Sequence, residues 1–172
     1  CVDAKIVFIG PRAESIRQLG DKISAKKLLQ SVGVPTVPGY MGEDQSVSNL
    51  VNEAEKIGYP VIVKAAAGGG GRGMKLISSK AEASEQIGSA QREALAAFGV
   101  ATVFLEKYLD CAKHIEFQVF GDSAGQCIHL FERECTIQRR HQKMIEEALS
   151  PSLTKELRSE MGRAAAKLAE QA

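Results

Sequence analysis

Pro60–Ala66 is almost wholly apolar, gives way to glycine at 68–71 and 73, and is followed by a second apolar run, Met74–Ile77. No other stretch limits the fold as tightly. Glycine lacks a Cβ and disfavours helix and strand interiors, so the block is a break. The short apolar runs flanking it have the length of buried strands. The pattern predicts an antiparallel hairpin with strands 61–66 and 74–77 and a glycine tip. Gly68-Gly69-Gly70-Gly71-Arg72-Gly73 formally satisfies G-x-G-x-x-G. A dinucleotide-binding turn, however, needs a helix straight after the glycines, and Met74-Lys75-Leu76-Ile77 reads as a strand. G-x-x-x-x-G-K-[ST] is absent, which excludes a P-loop. What remains is a surface turn or a flap whose backbone N–H groups can lie against phosphate oxygens.

Lys64 favours the flap. It is the one charge in Val61-Ile62-Val63-Lys64-Ala65, four residues before the glycines. A lysine there can set its ammonium against a polyphosphate; the alternative is an edge-strand lysine that blocks sheet aggregation.

Lys5–Ile9, closed by Gly10-Pro11, reads as a buried strand. Ile16 and Leu19 fit a short helix. Asp21 can cap a second helix carrying Ile23, Leu28, Leu29 and Val32, stopped by Gly33 and Pro35. Val47, Leu50, Val51, Ala54 and Ile57 form a helical stripe ended by Gly58. Ser79 with Glu82 makes a capping box for a long helix through Ile87, Ala90 and Phe98. From Thr102 to Glu147 the period is two, with turns at 110–112 and 121–125. Thr154 opens a last helix with Leu157, Met161, Ala164 and Leu168 inward. Helices mixed with adjacent antiparallel strands predict an α+β fold. Met144 and Met161 read as core filler.

The 172 residues carry 22 Lys+Arg against 21 Asp+Glu, so net charge gives no global pull toward nucleic acid or anionic lipid. The apolar runs are far short of the roughly 18 residues of a membrane helix. Cys1, Cys111, Cys127 and Cys135 lack C-x-x-C spacing, against a zinc site; reduced thiols and an intracellular chain are expected. Positive charge is concentrated at Arg133, Arg139, Arg140, His141 and Lys143, a patch partly offset by Glu146 and Glu147. It holds no interleaved aromatics, against RNA binding. His114, Glu116 and Gln118 alternate with Ile115, Phe117 and Val119 and share one strand face. A third ligand for a metal at His114 and Glu116 is not evident.

Glu106-Lys107-Tyr108-Leu109, His114-Ile115-Glu116-Phe117-Gln118-Val119, Glu132-Arg133-Glu134-Cys135 and Gln138-Arg139-Arg140-His141-Gln142-Lys143 belong together. With Phe8-Ile9-Gly10-Pro11, Gly20-Asp21-Lys22 and the lysine–glycine segment, they make a chain that resembles the biotin carboxylases of the ATP-grasp class over nearly its whole length. The resemblance implies an ATP-grasp fold, with an antiparallel sheet and a glycine-flap hairpin lobe. It also implies ATP-dependent carboxylation of biotin by bicarbonate through carboxyphosphate. On it, Lys22 and Lys64 are nucleotide-binding lysines, and Gly70 and Gly71 lie in the flap. Glu106, Lys107, Tyr108 and Leu109 form the adenine hinge, with backbone groups of Lys107 and Leu109 as contacts. His114, Gln138 and His141 are further nucleotide positions, and Lys143 contacts bicarbonate. Ala67 stands where some relatives have glycine.

The same resemblance implies Mg2+ or Mn2+, a biotin carrier, a carboxyltransferase and a homo-oligomer, in the cytoplasm or mitochondrial matrix, with no nucleic-acid or membrane partner. Its metal ligands, catalytic base and bicarbonate and biotin arginines have no counterpart here. The start at Cys1 and the uncapped run Arg163–Ala172 agree with an expectation of truncation at both ends, inactive alone. The expected divisions are 1–36 (end of an N-terminal region and linker helices), 37–109 (small lobe with the flap) and 110–172 (start of a large lobe). The rival readings are another ATP-grasp ligase, such as a carbamoyl-phosphate synthetase large subunit, and a non-catalytic nucleotide-binding module.

Overall fold

The computed structural model describes residues 1, 3–67, 74–139 and 142–172. Helices α1 (Ala13–Gly20) and α2 (Lys22–Ser31) lead to a short strand β1 (Gly39–Tyr40) and helix α3 (Val47–Ile57). Strands β2 (Val61–Ala65) and β3 (Lys75–Ile77) precede the long helix α4 (Lys80–Phe98) and β4 (Val103–Lys107). The remainder is β5 (Ile115–Gly121), β6 (Cys127–Glu134), the two-residue strands β7 (Gln138–Arg139) and β8 (Gln142–Lys143), and α5 (Lys155–Glu170). The expected α+β character holds.

Local signals set most boundaries. The Asp21 carboxylate accepts from Ser24 N–H at 2.7 Å and caps α2. Ser46 caps α3, and Gly58 ends it at φ +84°. The Ser79–Glu82 capping box opens α4, and Thr154 caps α5 through Leu157 N–H. Each supplies a partner to backbone groups that a helix end leaves unpaired.

The main sheet runs β1-β4-β2-β3, with neighbours antiparallel. Val61↔Ile77 and Val63↔Lys75 fix the register of the predicted hairpin. Strand alternation gives the sheet two unlike faces. Val61, Val63, Ala65, Val103 and Leu105 point to one side and are buried against Leu50 and Ala54 of α3 and Ala83, Ile87, Ala90 and Ala94 of α4. The alanines let α4 lie close to the strands. Burying a side chain such as Leu105 contributes about 2 kcal/mol. Ile62, Lys64, Phe104 and Glu106 point to the other face, free of that core.

The second sheet pairs β5 with β6, with a register break between Phe117 and Val119, where Phe131 takes φ +61°. Such an irregularity turns a strand, and it ends the polar alternation of His114 and Glu116 before Gln118. Helix α5 lies against this pair, with Gly162 buried beneath His129. A Cβ on Gly162 would sit 2.5 Å from the imidazole. The helix end returns to the start of the chain: Ser15 Oγ donates to the Ala172 carbonyl at 2.6 Å and Lys167 Nζ to that of Val32 at 2.7 Å.

Three expectations and one alternative need correction. Residues 6–9 form no strand, and Ile6, Val7, Phe8 and Ile9 are exposed; no strand among the described residues lies beside them to complete a ladder. Lys64 is not on an edge, because β2 is flanked by β4 and β3. Leu157 is exposed; Gly162 is the α5 residue that is buried. Met144 is exposed, on the loop after β8, where no core element reaches it.

Beneath α5 lies a buried polar network. Glu132 Oε1 accepts from Arg158 Nε at 2.6 Å and from Ser150 N–H at 3.1 Å. Glu134 accepts from the Ser150 hydroxyl at 2.5 Å, Thr136 Oγ1 at 3.0 Å and Lys113 Nζ at 3.2 Å. Led by the Ser150 hydrogen bond, these donors hold the Glu134 carboxyl down at about 2. A depressed carboxyl contributes stability that is present above its unfolded value and lost as pH falls toward the folded one. Denaturant unfolding between pH 6 and pH 2.5 is therefore expected to lose stability more steeply in the wild type than in Glu134→Gln, the two converging at the acid end. Parallel curves would refute the assignment.

Candidate functional site

Two groups of charged side chains collect the residues singled out in the sequence. The first lies on the sheet face opposite the core. Lys64 and Glu106 are diagonal neighbours there, since Lys64 pairs with Phe104 and Ile62 with Glu106. Lys64 Nζ donates to Glu106 Oε2 at 2.6 Å, and Lys26 Nζ, arriving from α2, donates to Oε1 at 2.7 Å. Burial pushes the Glu106 carboxyl up, but the two ammonium groups outweigh it and hold the carboxyl below its usual range. Lys22 sits one turn before Lys26, on the same helix face. Partial desolvation, then the like charge of Lys64, push it below the usual lysine range despite the opposing pull of Glu106. Two ammonium groups thus clasp one carboxylate, with the charge of Lys22 nearby.

Residues 106–109, the expected hinge, are tied into the surrounding structure. Lys107 N–H is occupied by the Pro38 carbonyl at 2.8 Å, and Tyr108 N–H by that of Pro60 at 3.1 Å. The Lys107 ammonium donates to the Gly58 and Tyr59 carbonyls at 2.8 and 2.9 Å, tying the hinge to the end of α3. These bonds leave Lys107 N–H no free role toward a base, because strand pairing uses it. Tyr108 and Leu109 are exposed.

The second group spans β5, β6 and the β7–β8 turn. His114 Nδ1 accepts from Gln138 Nε2 at 2.9 Å, and the His114 backbone N–H donates to Thr136 Oγ1 at 3.1 Å. Gln138 also donates to the Cys135 carbonyl at 2.8 Å. Glu116 receives both the Lys143 ammonium and the Arg133 guanidinium, and Arg133 also reaches Glu146 at 3.0 Å. The Lys143 hydrogen bond, ahead of Arg133, lowers the Glu116 carboxyl, and the same bond raises Lys143. The carboxylates that offset this basic patch are therefore Glu116 and Glu146. Glu147 instead exchanges backbone hydrogen bonds with Glu134. Gly70, Gly71 and His141, and with them Arg140, lie outside the described residues.

Among the described residues, Glu116, Cys135 and Glu146 are the potential metal ligands that cluster. They do not suit Mg2+ or Mn2+, which take oxygen ligands. Burial raises the Cys135 thiol, and the two carboxylates are already spanned by Arg133 and Lys143. An open groove of about 610 Å³ between α1 and α2, lined by Glu14, Arg17, Lys27 and neighbours, holds none of the expected site residues. No helix of the described residues is long and apolar enough to cross a membrane.

The sequence reading missed Lys26, although its spacing of four from Lys22 on a capped helix was a usable signal. It also missed Glu132 and Glu134 as buried groups, and nothing local marks them.

A small antiparallel sheet packed on two helices, with lysines converging on its opposite face, defines a lobe of the ATP-grasp class. Residues 21–172 match the family described as carbamoyl-phosphate synthase L chain, ATP binding domain, and the chain belongs to that family. It is 49% identical over 165 residues to the mitochondrial methylcrotonoyl-CoA carboxylase subunit alpha of Arabidopsis thaliana, covering 96% of this chain and 22% of that protein. It is 52% identical over 170 residues to the biotin carboxylase of Nostoc sp., covering 99% and 38%. Among solved structures, the biotin carboxylase–beta-gamma-ATP complex from Campylobacter jejuni matches with a TM-score of 0.92 at 44% identity, covering 99% of this chain and 38% of that one. The biotin carboxylase domain of the Hydrogenobacter thermophilus 2-oxoglutarate carboxylase, in complex with MgADP, ADP and bicarbonate, matches with a TM-score of 0.92 at 46% identity and the same coverage. The chain thus spans 22% to 38% of the length of these relatives.

Proposed function

We propose that this chain forms the nucleotide-handling part of a biotin carboxylase, which carboxylates biotin with bicarbonate at the expense of ATP, through carboxyphosphate. The observation that carries the reading is the gathering of Lys26 and Lys64 on the single carboxylate of Glu106, with Lys22 close enough to feel the charges of Lys64 and Glu106. A net positive face on the strand that leads into a glycine-rich segment suits a triphosphate. About 50% identity to biotin carboxylases over nearly the whole chain supports the particular reaction.

In this reading Lys22 and Lys64 contact phosphates, and Gly70 and Gly71 close over them. Glu106, Lys107, Tyr108 and Leu109 border the adenine, with the Lys107 carbonyl and the Leu109 backbone as its contacts. His114, Gln138 and His141 line the nucleotide, and Lys143 holds bicarbonate. Segments 1–36, 37–109 and 110–172 serve as linker region, small lobe and start of a large lobe. A divalent metal, a biotin carrier, a carboxyltransferase and a second copy of the chain are the partners, in the cytoplasm or mitochondrial matrix. Carboxyl acceptors in this class are acyl-CoA, pyruvate or urea.

The family description also fits a carbamoyl-phosphate synthetase, which passes through the same intermediate. ATP cleavage by the full-length protein, measured with bicarbonate plus either biotin or ammonia, separates the two. Biotin is expected to accept the carboxyl group, with no carbamoyl phosphate formed from ammonia; the reverse outcome overturns the reading. Residues 1–172 alone are expected to show no turnover with either acceptor, since phosphoryl transfer needs a metal that these side chains do not suit.

A further inference from the structure

We infer that Lys26 is a positioning residue of the nucleotide site: its buried ammonium holds one oxygen of Glu106, so that this carboxylate cannot fully neutralise Lys64 and Lys22, and the sheet face keeps an excess of two positive charges for a polyphosphate. The inference rests on the reading of Lys22 and Lys64 as phosphate ligands and adds a residue outside that set.

Lys26 is the buried lysine among the described residues, 7% exposed. A lysine seldom enters a protein interior without a partner, and here the partner is specific: Glu106 Oε1 at 2.7 Å. The chain makes room for it. Gly39 pairs with Glu106 across β1 and β4, and a Cβ at Gly39 would stand 3.2 Å from Lys26 Nζ and 2.2 Å from the Leu105 carbonyl oxygen. The other Glu106 oxygen faces Lys64 at 2.6 Å. Lys64 is the more accessible of the two ammonium groups, with 27% of its side chain exposed against 9% for Lys26, and it also lies 6.0 Å from the Phe104 ring centroid. One carboxylate is thus divided between a fixed interior cation and a cation at the mouth.

The charges give a discriminating count. Lys22, Lys26 and Lys64 against Glu106 leave a surplus of two. Without Lys26, Glu106 turns wholly to Lys64 and the surplus falls to one. With Lys26 and Glu106 both neutral, Lys22 and Lys64 restore it to two. A merely structural clamp between α2 and β4 predicts the opposite order, with the double variant worst.

The test uses the full-length protein, with calorimetric titration of ATP, inorganic tripolyphosphate and adenosine at low salt. Lys26→Met is expected to weaken ATP and tripolyphosphate roughly tenfold, as loss of a unit charge nearby implies, and to leave adenosine unchanged. Lys26→Arg is expected to retain most of the affinity. Lys26→Met with Glu106→Gln is expected to recover the tripolyphosphate affinity. Equal weakening of all three ligands, or a double variant weaker than the single, overturns the inference.

A second readout needs no nucleotide: the acylation rate of Lys64 by an acetylating reagent, followed by peptide mass spectrometry. Lys64 is expected to react several-fold more slowly in Lys26→Met and faster than wild type in the double variant. Equal rates in all forms also overturn the inference. A wild-type chain that binds neither ATP nor tripolyphosphate contradicts the phosphate reading of Lys22 and Lys64 instead, and the acylation order then decides whether Lys26 divides the carboxylate.

Discussion

Replacing Arg158 by Met is expected to destabilise the protein by about 3–5 kcal/mol, the usual result of stripping one partner from a buried ion pair. In a chain of this length that is a fall of roughly 10 °C in Tm. The Glu132 side chain is fully buried, and Arg158 supplies its one charged partner. The second carboxylate oxygen, Oε2, has no hydrogen-bond partner. Burial pushes the Glu132 carboxyl up, and Arg158 leads the interactions that bring it below the usual range. Without the guanidinium, burial alone prevails and the sign reverses. The folded carboxyl then titrates above its unfolded value, so stability is retained below that value and lost as pH rises through the folded one. Arg158→Met is therefore expected to be more stable at pH 5 than at pH 8. Adding Glu132→Leu removes the stranded charge and is expected to recover most of the loss. A single variant within 1 kcal/mol of wild type would show that the pair does not anchor α5.

What could be read ahead of the structure follows from the range of each interaction. Asp21, Gly58, the Ser79–Glu82 box and Thr154 act on backbone groups within three or four residues, so each helix end was visible in a short window. The hairpin was visible because its two apolar runs abut the glycines. Glu132 and Arg158 are 26 residues apart, and Lys26 and Glu106 are 80 apart. Whether such charges are buried depends on the tertiary fold, which no local pattern encodes. Glu132 and Glu134 occupy the inner side of β6, where period-two reasoning expects apolar residues, because Arg158, Ser150 and Lys113 come to them. The opposite error occurs at residues 6–9: an apolar run marks a strand only if another strand lies alongside.

The same distinction applies to the candidate site. Lys22 and Lys64 were picked out singly, and the structure brings them to one face. Glu106 was read as part of an adenine hinge, yet its carboxylate is committed to two lysines. Lys107 was read for its backbone, yet its N–H completes the sheet and its ammonium secures the loop after α3. Such commitments span 49 residues for Lys107 and Gly58, and 80 for Lys26 and Glu106, so no local pattern shows them.

Lys143 carries the second large prediction. Its ammonium is paired with Glu116, which raises it above the ordinary lysine range; a raised amine stays charged throughout the neutral range, so in the proposed role it would meet bicarbonate as a fixed charge and not as a base. Arg133 shares Glu116 with it, and Glu146 draws Arg133 the other way, so these two cations and two carboxylates balance. An arriving bicarbonate would compete with Glu116 for Lys143, and binding is favourable only if the ammonium can be shared. In the full-length protein, Lys143→Gln keeps a polar side chain, one atom shorter, but removes the charge. Biotin carboxylation is expected to fall by about two to three orders of magnitude, the scale seen on removing one preorganised donor to a developing anion. ATP affinity is expected to stay within about twofold, because on the proposed reading Lys22 and Lys64 hold the phosphates elsewhere. Lys143→Arg, which retains the charge with a different geometry, is expected to restore part of the rate. Bicarbonate-dependent carboxylation of biotin by Lys143→Gln at the wild-type rate would remove Lys143 from the site, and equal losses in ATP binding would move it to the nucleotide.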